Sequence, residues 1–159
     1  MFIAQSPADL PDRDTLMSMS GLTFMQKMQA GEISRPPISG LMNYTLDTVE
    51  PGKIIFRGTP AFQHCNPMGG VHGGWYGTLL DSAMACAVMT MVPKGSVYTT
   101  LEYKINILRG IPLDTTIDCV GLADHVGRST GVAHGEIRGV EDGRLYATGS
   151  TTCIVMKVA

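Results

Sequence analysis

The residues best equipped for chemistry cluster in one stretch, Asn66 to Met91, NPMGGVHGGWYGTLLDSAMACAVMTM. Asp81 is the single formally charged side chain between Arg57 and Lys94. Its neighbours are apolar or small, and an unpaired buried carboxylate costs on the order of several kcal/mol. Two readings account for keeping it. As a structural group it forms a hydrogen bond that pins its helix to the surroundings. As a chemical group it works in a partly dry cleft, where its basicity can be tuned. Upstream of it stand His72, Gly73 and Gly74. The glycines leave the backbone uncrowded where the first N–H groups of a helix have no internal partner. Such a terminus carries partial positive charge and can hold an anion or a developing oxyanion. The plainer alternative is a tight turn and nothing more. A polarising terminus together with a lone acid fits hydrolysis of an activated acyl group.

Those groups need a helix to carry them. Leu79, Leu80, Ala83, Met84, Ala87, Val88 and Met91 recur at three- and four-residue steps, the period of a helix. Ala85, Cys86 and Met89 make the other face apolar or small too, so the helix is expected to be buried on nearly every side. Pro93, Lys94 and Gly95 end it. Before this stretch, residues 1–12 read as frayed, and a helix is expected from about Asp14 to Ala30. Leu22, Met25 and Met28 share one of its faces, and Gly31 stops it. Its methionines (17, 19, 25, 28) suit an adaptable packing surface, with a lid over an acyl-binding channel as the alternative. Pro36-Pro37 predicts an extended linker.

From Gly40 the pattern becomes β. Leu41 to Val49 and Lys53 to Thr59 flank the turn Glu50-Pro51-Gly52, and residues 60–70 form a loop. Val97 to Leu108 alternates: Thr99, Leu101, Tyr103, Ile105 and Ile107 against Thr100, Glu102, Lys104 and Asn106. Thr115 to Val126, Thr130 to Val140 and Arg144 to Val158 supply three more strands, with turns at Gly127-Arg128 and Asp142-Gly143. The expected fold is α+β, an antiparallel sheet of about six strands wrapped around one buried helix. Residues 1–39 would be an N-terminal extension with one helix, and residues 40–159 the main domain.

Composition narrows the partners. A chain of 159 residues with formal charge −2 has no basic stripe, which argues against nucleic acid. Only 16% of residues are charged, so apolar surface must be hidden, which favours a homo-oligomer. Cys65, Cys86, Cys119 and Cys153 form no CxxC pair and read as reduced thiols of a cytoplasmic protein. Met1 to Ala4 lacks the basic flank of a signal peptide, and no uninterrupted apolar run is long enough to span a membrane.

The segment N-P-M-G-G-V-H-G-G-x5-L-L-D, Asn66 to Asp81, resembles the hotdog-fold acyl-CoA thioesterases of the PaaI-like family. An Asn six residues before the His and an acid nine after it keep that family's spacing. Thr100 to Arg109, Gly127 to Thr130 and Asp142 to Thr152 extend the resemblance over about residues 40–157. It implies that Asp81 is the catalytic carboxylate, a general base on water or a nucleophile toward the thioester. It implies that the Gly73 amide, with Gly74 beside it, polarises the carbonyl, and that Asn66 orients water or carbonyl. Thr100 would hold the attacking water, with Thr99 as its rival. His72 would lock the turn at the substrate site. Arg109 and Arg128 are candidates for the coenzyme A phosphates. His64, Cys65 and His72 lack a fourth ligand and a known spacing, so no metal is expected. No cofactor is expected beyond the coenzyme A of the substrate.

Three functions remain in play. The leading one is hydrolysis of an acyl-CoA to free acid and coenzyme A. A hotdog hydratase or dehydratase would need a His to move a proton, and the His-Phe-Pro start of the dehydratases is absent. A non-catalytic acyl-CoA or aromatic-ligand binder is the third, against which the joint presence of Asn66, Gly73 and Asp81 argues. Trp75 and Tyr76 could line a flat aromatic pocket or an aliphatic tunnel. Gly73 and Asp81 stand roughly 12 Å apart along one helix, too far for one thioester carbon to meet both. An antiparallel helix pair in a two-fold dimer, alone or within a tetramer, would bring one chain's Asp81 to the other's Asn66 and Gly73.

Overall fold

The computed structural model describes residues 2–158. Four helices and six strands follow in order: α1 (Arg13–Ser18), α2 (Gly21–Ala30), α3 (Pro37–Leu41), β1 (Tyr44–Glu50), β2 (Lys53–Gly58), α4 (Gly73–Thr90), β3 (Ser96–Ile107), β4 (Ile117–Val126), β5 (Thr130–Gly139) and β6 (Leu145–Lys157). The strands form one sheet in the order β1-β2-β4-β5-β6-β3. Every pairing within it is antiparallel. The sheet curls around α4, and this is the hotdog arrangement.

The apolar run of α4 is what the sheet encloses. Leu79, Leu80, Ala83, Met84, Ala87 and Val88 are fully buried, and burying a leucine is worth about 1.5–3 kcal/mol. Met91 departs from the expected stripe, being the C-cap residue and 48% exposed. Strand β4 lies so close to the helix that a Cβ on Gly121 would stand 2.2 Å from the Ala83 carbonyl oxygen. The first turn of α4 is bolted at both sides. Trp75 Nε1 donates to the Met42 carbonyl at 2.9 Å, and the Ile111 N–H donates to the Tyr76 hydroxyl at 2.8 Å. Both rings are buried anchors of the core, and Trp75 also lines a shallow recess beside His64 and His72.

The N-terminal segment corrects several sequence expectations. The single helix over 14–30 is two helices, because Met19 and Ser20 take extended backbone and the Ser20 hydroxyl caps α2 by accepting from Thr23 N–H. The break lets Gly21 N–H donate to the Val92 carbonyl at 3.0 Å, tying α2 to the chain just after α4. Pro36 is extended as expected, but Pro37 starts α3, where a missing N–H costs nothing. Leu41 therefore ends a helix, and the first strand begins only at Tyr44. Residues 62–64 of the expected loop form a short 3-10 turn. Phe24, Met25 and Ile33 of this segment join the same core as α4.

Strand β3 holds the other correction. Its alternation is broken by a bulge between Thr100 and Glu102, and one extra residue reverses which side chains face inward. Before the bulge, Thr100 meets Asp81 and Tyr98 approaches Cys86. After it, Tyr103 and Ile105 lie against Gly77 and Ile107 against Gly73. The strict division into two faces was wrong for the first half of the strand.

Among the described residues no helix is long and apolar enough to cross a membrane. The four cysteines are all free thiols.

Candidate active site

Asp81 lies on the second turn past the glycines, half-buried, facing β3. Thr100 Oγ1 donates to its Oδ1 at 3.0 Å. Thr99, the rival, is on the exposed side of the strand. Asp81 takes part in no ion pair among the described residues, so one neutral hydroxyl is the polar partner recorded for its carboxylate.

The helix N-terminus is more finely divided than the sequence implied. His72 is its N-cap, and its Nδ1 accepts from Gly74 N–H at 2.9 Å. Trp75 N–H donates back to the His72 carbonyl. Gly74 is therefore spoken for, and no acceptor is recorded for Gly73 N–H among the described residues. A histidine that caps a glycine-rich helix start leaves one donor open, and that donor is Gly73. Asn66 closes the preceding turn: its Oδ1 accepts from Met68 N–H at 2.9 Å and Gly70 N–H at 3.2 Å. Its Nδ2 donates to nothing among the described residues. Glycines at 69 and 70 let the chain turn back on Asn66, with Gly69 at φ +82°.

Within one chain these groups form two halves. Asp81 and Thr100 make one; Asn66, His72 and Gly73 make the other, about 12 Å along the helix. Arg109 is on the Gly73 side, since Tyr76 of the first turn donates to its carbonyl, and its own guanidinium reaches the Leu145 carbonyl at 2.7 Å. Arg128 is exposed in the β4–β5 turn, whose neighbour Gly131 packs on Val88 near the helix's other end. Among the described residues no three His, Cys, Asp or Glu side chains group as a metal site. Both His64 ring nitrogens are engaged, Nδ1 with Ala61 N–H and Nε2 with the Leu41 carbonyl.

Sequence reasoning missed a cavity of about 270 Å³ between α4, β1, β2 and the N-terminal helices. Phe24, Met28, Cys86 and Met89 make it apolar, while Ser82, next to Asp81, and Tyr98, two residues before Thr100, form part of its wall. The Tyr44 and Ser82 hydroxyls bond at 3.1 Å. Burial pushes the Tyr44 phenol up to about 12, against the opposing hydrogen bond from Ser82. Burial likewise pushes the Cys86 thiol up to about 12, and Tyr98 rises for the same reason. These groups are neutral near pH 7. The methionine spacing of α2 was the one hint of such a space.

Comparison with known proteins follows the same outline. Residues 68–146 match the family model of the thioesterase superfamily. A phenylacetic acid degradation-related protein of Ralstonia eutropha is 26% identical, with a TM-score of 0.75 over 82% of this chain and 98% of its own. A hypothetical thioesterase protein of Streptococcus pneumoniae, solved with coenzyme A, is 28% identical, with a TM-score of 0.68 over 76% of this chain and 91% of its own. The PaaI protein of E. coli, at 18% identity, has the same fold, with a TM-score of 0.73 over 87% and 94%. No curated protein matches the sequence. With its single sheet around α4 and the thioesterase match running from Met68 through the helix into β6, the chain is similar in sequence to the thioesterase superfamily and shares the hotdog fold of the PaaI protein.

Proposed function

We propose that this protein hydrolyses acyl-CoA thioesters to the free acid and coenzyme A. The observation that carries the reading is the Asp81–Thr100 pair at 3.0 Å, with Ser82 next to it in the wall of an apolar cavity, in a chain similar to thioesterases. Asp81 either takes a proton from water as it adds to the thioester carbon, or attacks that carbon itself and is later released by water. In both routes the C–S bond breaks and the sulfur leaves as the coenzyme A thiol. Thr100 positions the carboxylate or the water. The open Gly73 N–H, at the positive end of α4, stabilises the negative charge that forms on the carbonyl oxygen. The free Asn66 Nδ2 is a second donor for the carbonyl or the water.

The two halves meet across a homodimer, in this reading. Strand β3 is an edge of the sheet, twelve residues long, with Leu101 60% and Tyr103 47% exposed. A long apolar edge is a template for a second copy. Antiparallel pairing of two β3 strands centred on Lys104 would set the bulge at Thr100 and Leu101 of one chain opposite Ile107 of the other. Since Thr100 holds Asp81 and Ile107 touches Gly73, each site then takes Asp81 from one chain and Gly73 with Asn66 from its mate. The same pairing brings Arg128 of one chain toward the Gly73 end of the other, where Arg109 already stands, and both are assigned to the coenzyme A phosphates. Two such dimers joined make the tetramer alternative, and free thiols suit a cytoplasmic setting.

The hydratase reading is weaker because His72 Nδ1 is committed to capping Gly74. The test is a thiol-release assay over aryl, short-chain and long-chain acyl-CoAs. Wild-type protein should release coenzyme A, and Asp81→Asn should fold but lose about a hundredfold or more in kcat. Near-native turnover by a folded Asp81→Asn would remove Asp81 from the chemistry. A change in enoyl absorbance without thiol would favour the hydratase, and binding without either signal a ligand carrier.

A further inference from the structure

The cavity of about 270 Å³ between α4, β1, β2 and the N-terminal helices is a gap in an otherwise packed core. Protein interiors hold few voids larger than a water molecule. A dry apolar cavity of about 150 Å³ already admits benzene. Ser82, Cys86 and Met89 follow one face of α4 into the cavity wall. Each keeps part of its surface exposed although the sheet encloses the helix. Two polar pairs belong to the same wall. The Tyr44 and Ser82 hydroxyls bond at 3.1 Å, and the Cys86 thiol and Tyr98 hydroxyl at 3.9 Å. One hydrogen serves each pair, which leaves the other proton without an acceptor among the described residues. The pairs stand about 6 Å apart along the helix. Burial raises the Tyr44, Cys86 and Tyr98 pKa values, so these groups keep their protons. No acid lines the cavity. Arg35, its one charged wall residue, has Nη1 on the Tyr44 carbonyl at 3.3 Å and Nε shut off from solvent. What the wall offers a ligand is neutral donors.

We propose that this cavity is a binding site for a compact, uncharged molecule that carries one carbonyl oxygen as a hydrogen-bond acceptor. Its occupancy is independent of the thioesterase reading. The apolar body of the ligand lies among Phe24, Met28 and Met89, and its oxygen takes the unspent proton of one of the two pairs. At about 30 Å³ for each water-sized group, the cavity has room for about nine non-hydrogen atoms. A carboxylate would lose its hydration there for neutral donors alone, which is costly. A hydrocarbon of the same shape would leave both protons unspent. One chemistry here has two sources, the acyl group of a thioester or a free small molecule.

The test uses acetophenone, cumene and benzoate, close in size and shape but carrying a neutral acceptor, no acceptor and a charge. Each is titrated by calorimetry into the full-length protein. Wild type should bind acetophenone, and benzoate about a hundredfold more weakly or not at all. Tyr44→Phe, Ser82→Ala and Tyr98→Phe combined should weaken acetophenone about tenfold, the worth of one hydrogen bond, without weakening cumene. Met28→Trp fills the space and should abolish binding of both. The proposal is overturned if wild type binds no acetophenone or prefers benzoate. It is equally overturned if the hydroxyl deletions affect acetophenone and cumene alike, or if Met28→Trp binds both undiminished. Circular dichroism checks each fold, and the wild-type comparison with benzoate decides even where the combined variant does not fold. Thiol release in the presence of acetophenone separates the two sources. Inhibition relieved by more acyl-CoA makes the cavity the acyl pocket, and an effect that acyl-CoA does not relieve makes it the site of a free molecule. If no acyl-CoA is hydrolysed but acetophenone binds as described, the thioesterase reading falls and the ligand site stands.

Discussion

Thr100 reaches Asp81 only because the bulge at Leu101 shifts the strand by one residue. The hydrogen bond is a neutral hydroxyl on a carboxylate, so its loss should weaken the alignment of Asp81 without unfolding the protein. Thr100→Val should lower kcat by about tenfold with little change in KM, an effect of the size expected for one hydrogen bond to a charged group. Thr100→Ser should restore most of it. A Thr100→Val enzyme with unchanged kcat would leave the hydroxyl without a role in the chemistry. Legibility at this scale depended on rarity. Asp81 stood out as the lone charge in a long apolar stretch, and Asn66 and Gly73 through the spacing around His72.

At the scale of elements, α4 and the sheet approach each other to backbone contact. Gly121 of β4 is the tightest point, and any Cβ there would collide with the Ala83 carbonyl, which has no freedom to move without breaking the helix. Gly121→Ala should destabilise the protein by about 3 kcal/mol or more, the upper part of the range for overpacking. Urea denaturation gives the figure, and a loss below about 1 kcal/mol would mean that the strand can slide outward freely. Periodicity made α4, β2 and the hairpin turns legible, since each is long or punctuated by glycine at positive φ, as at Gly52 and Gly143. It could not show the bulge, because an inserted residue leaves the apolar and polar types unchanged while exchanging their faces. The break at Met19-Ser20 escaped notice for a related reason. Its helix-compatible residues were overridden by a tertiary need, the docking of Gly21 beneath Val92. Pro36-Pro37 was read as linker because a proline pair opens either an extended segment or a first helical turn.

At the scale of the whole molecule, the exposed β3 edge and the split site call for the same remedy, a second copy. Complementation tests it. Asp81→Asn removes one half of the site. Asn66→Asp damages the other while keeping a side-chain oxygen for the Met68 and Gly70 N–H groups, so the turn should survive. Each parent homodimer should be inactive, since every site in it lacks either the Asp81 carboxylate or the Asn66 amide. After random exchange about half the dimers are mixed, and each mixed dimer holds one intact site and one doubly damaged site. About a quarter of wild-type activity should therefore return on mixing. The measurement is thiol release after subunit exchange verified by differently tagged chains. Tyr103→Pro, placed on the edge where the two strands would pair, supplies the control, because the even-numbered residues here bond to β6, as Leu108 N–H does to the Tyr146 carbonyl, and a proline at 103 removes an N–H from the shared ladder. It should yield monomers and abolish rescue. A mixture that stays inactive despite proven exchange would return Asp81, Asn66 and Gly73 to a single chain and would require the substrate, not the dimer, to bridge the distance along α4.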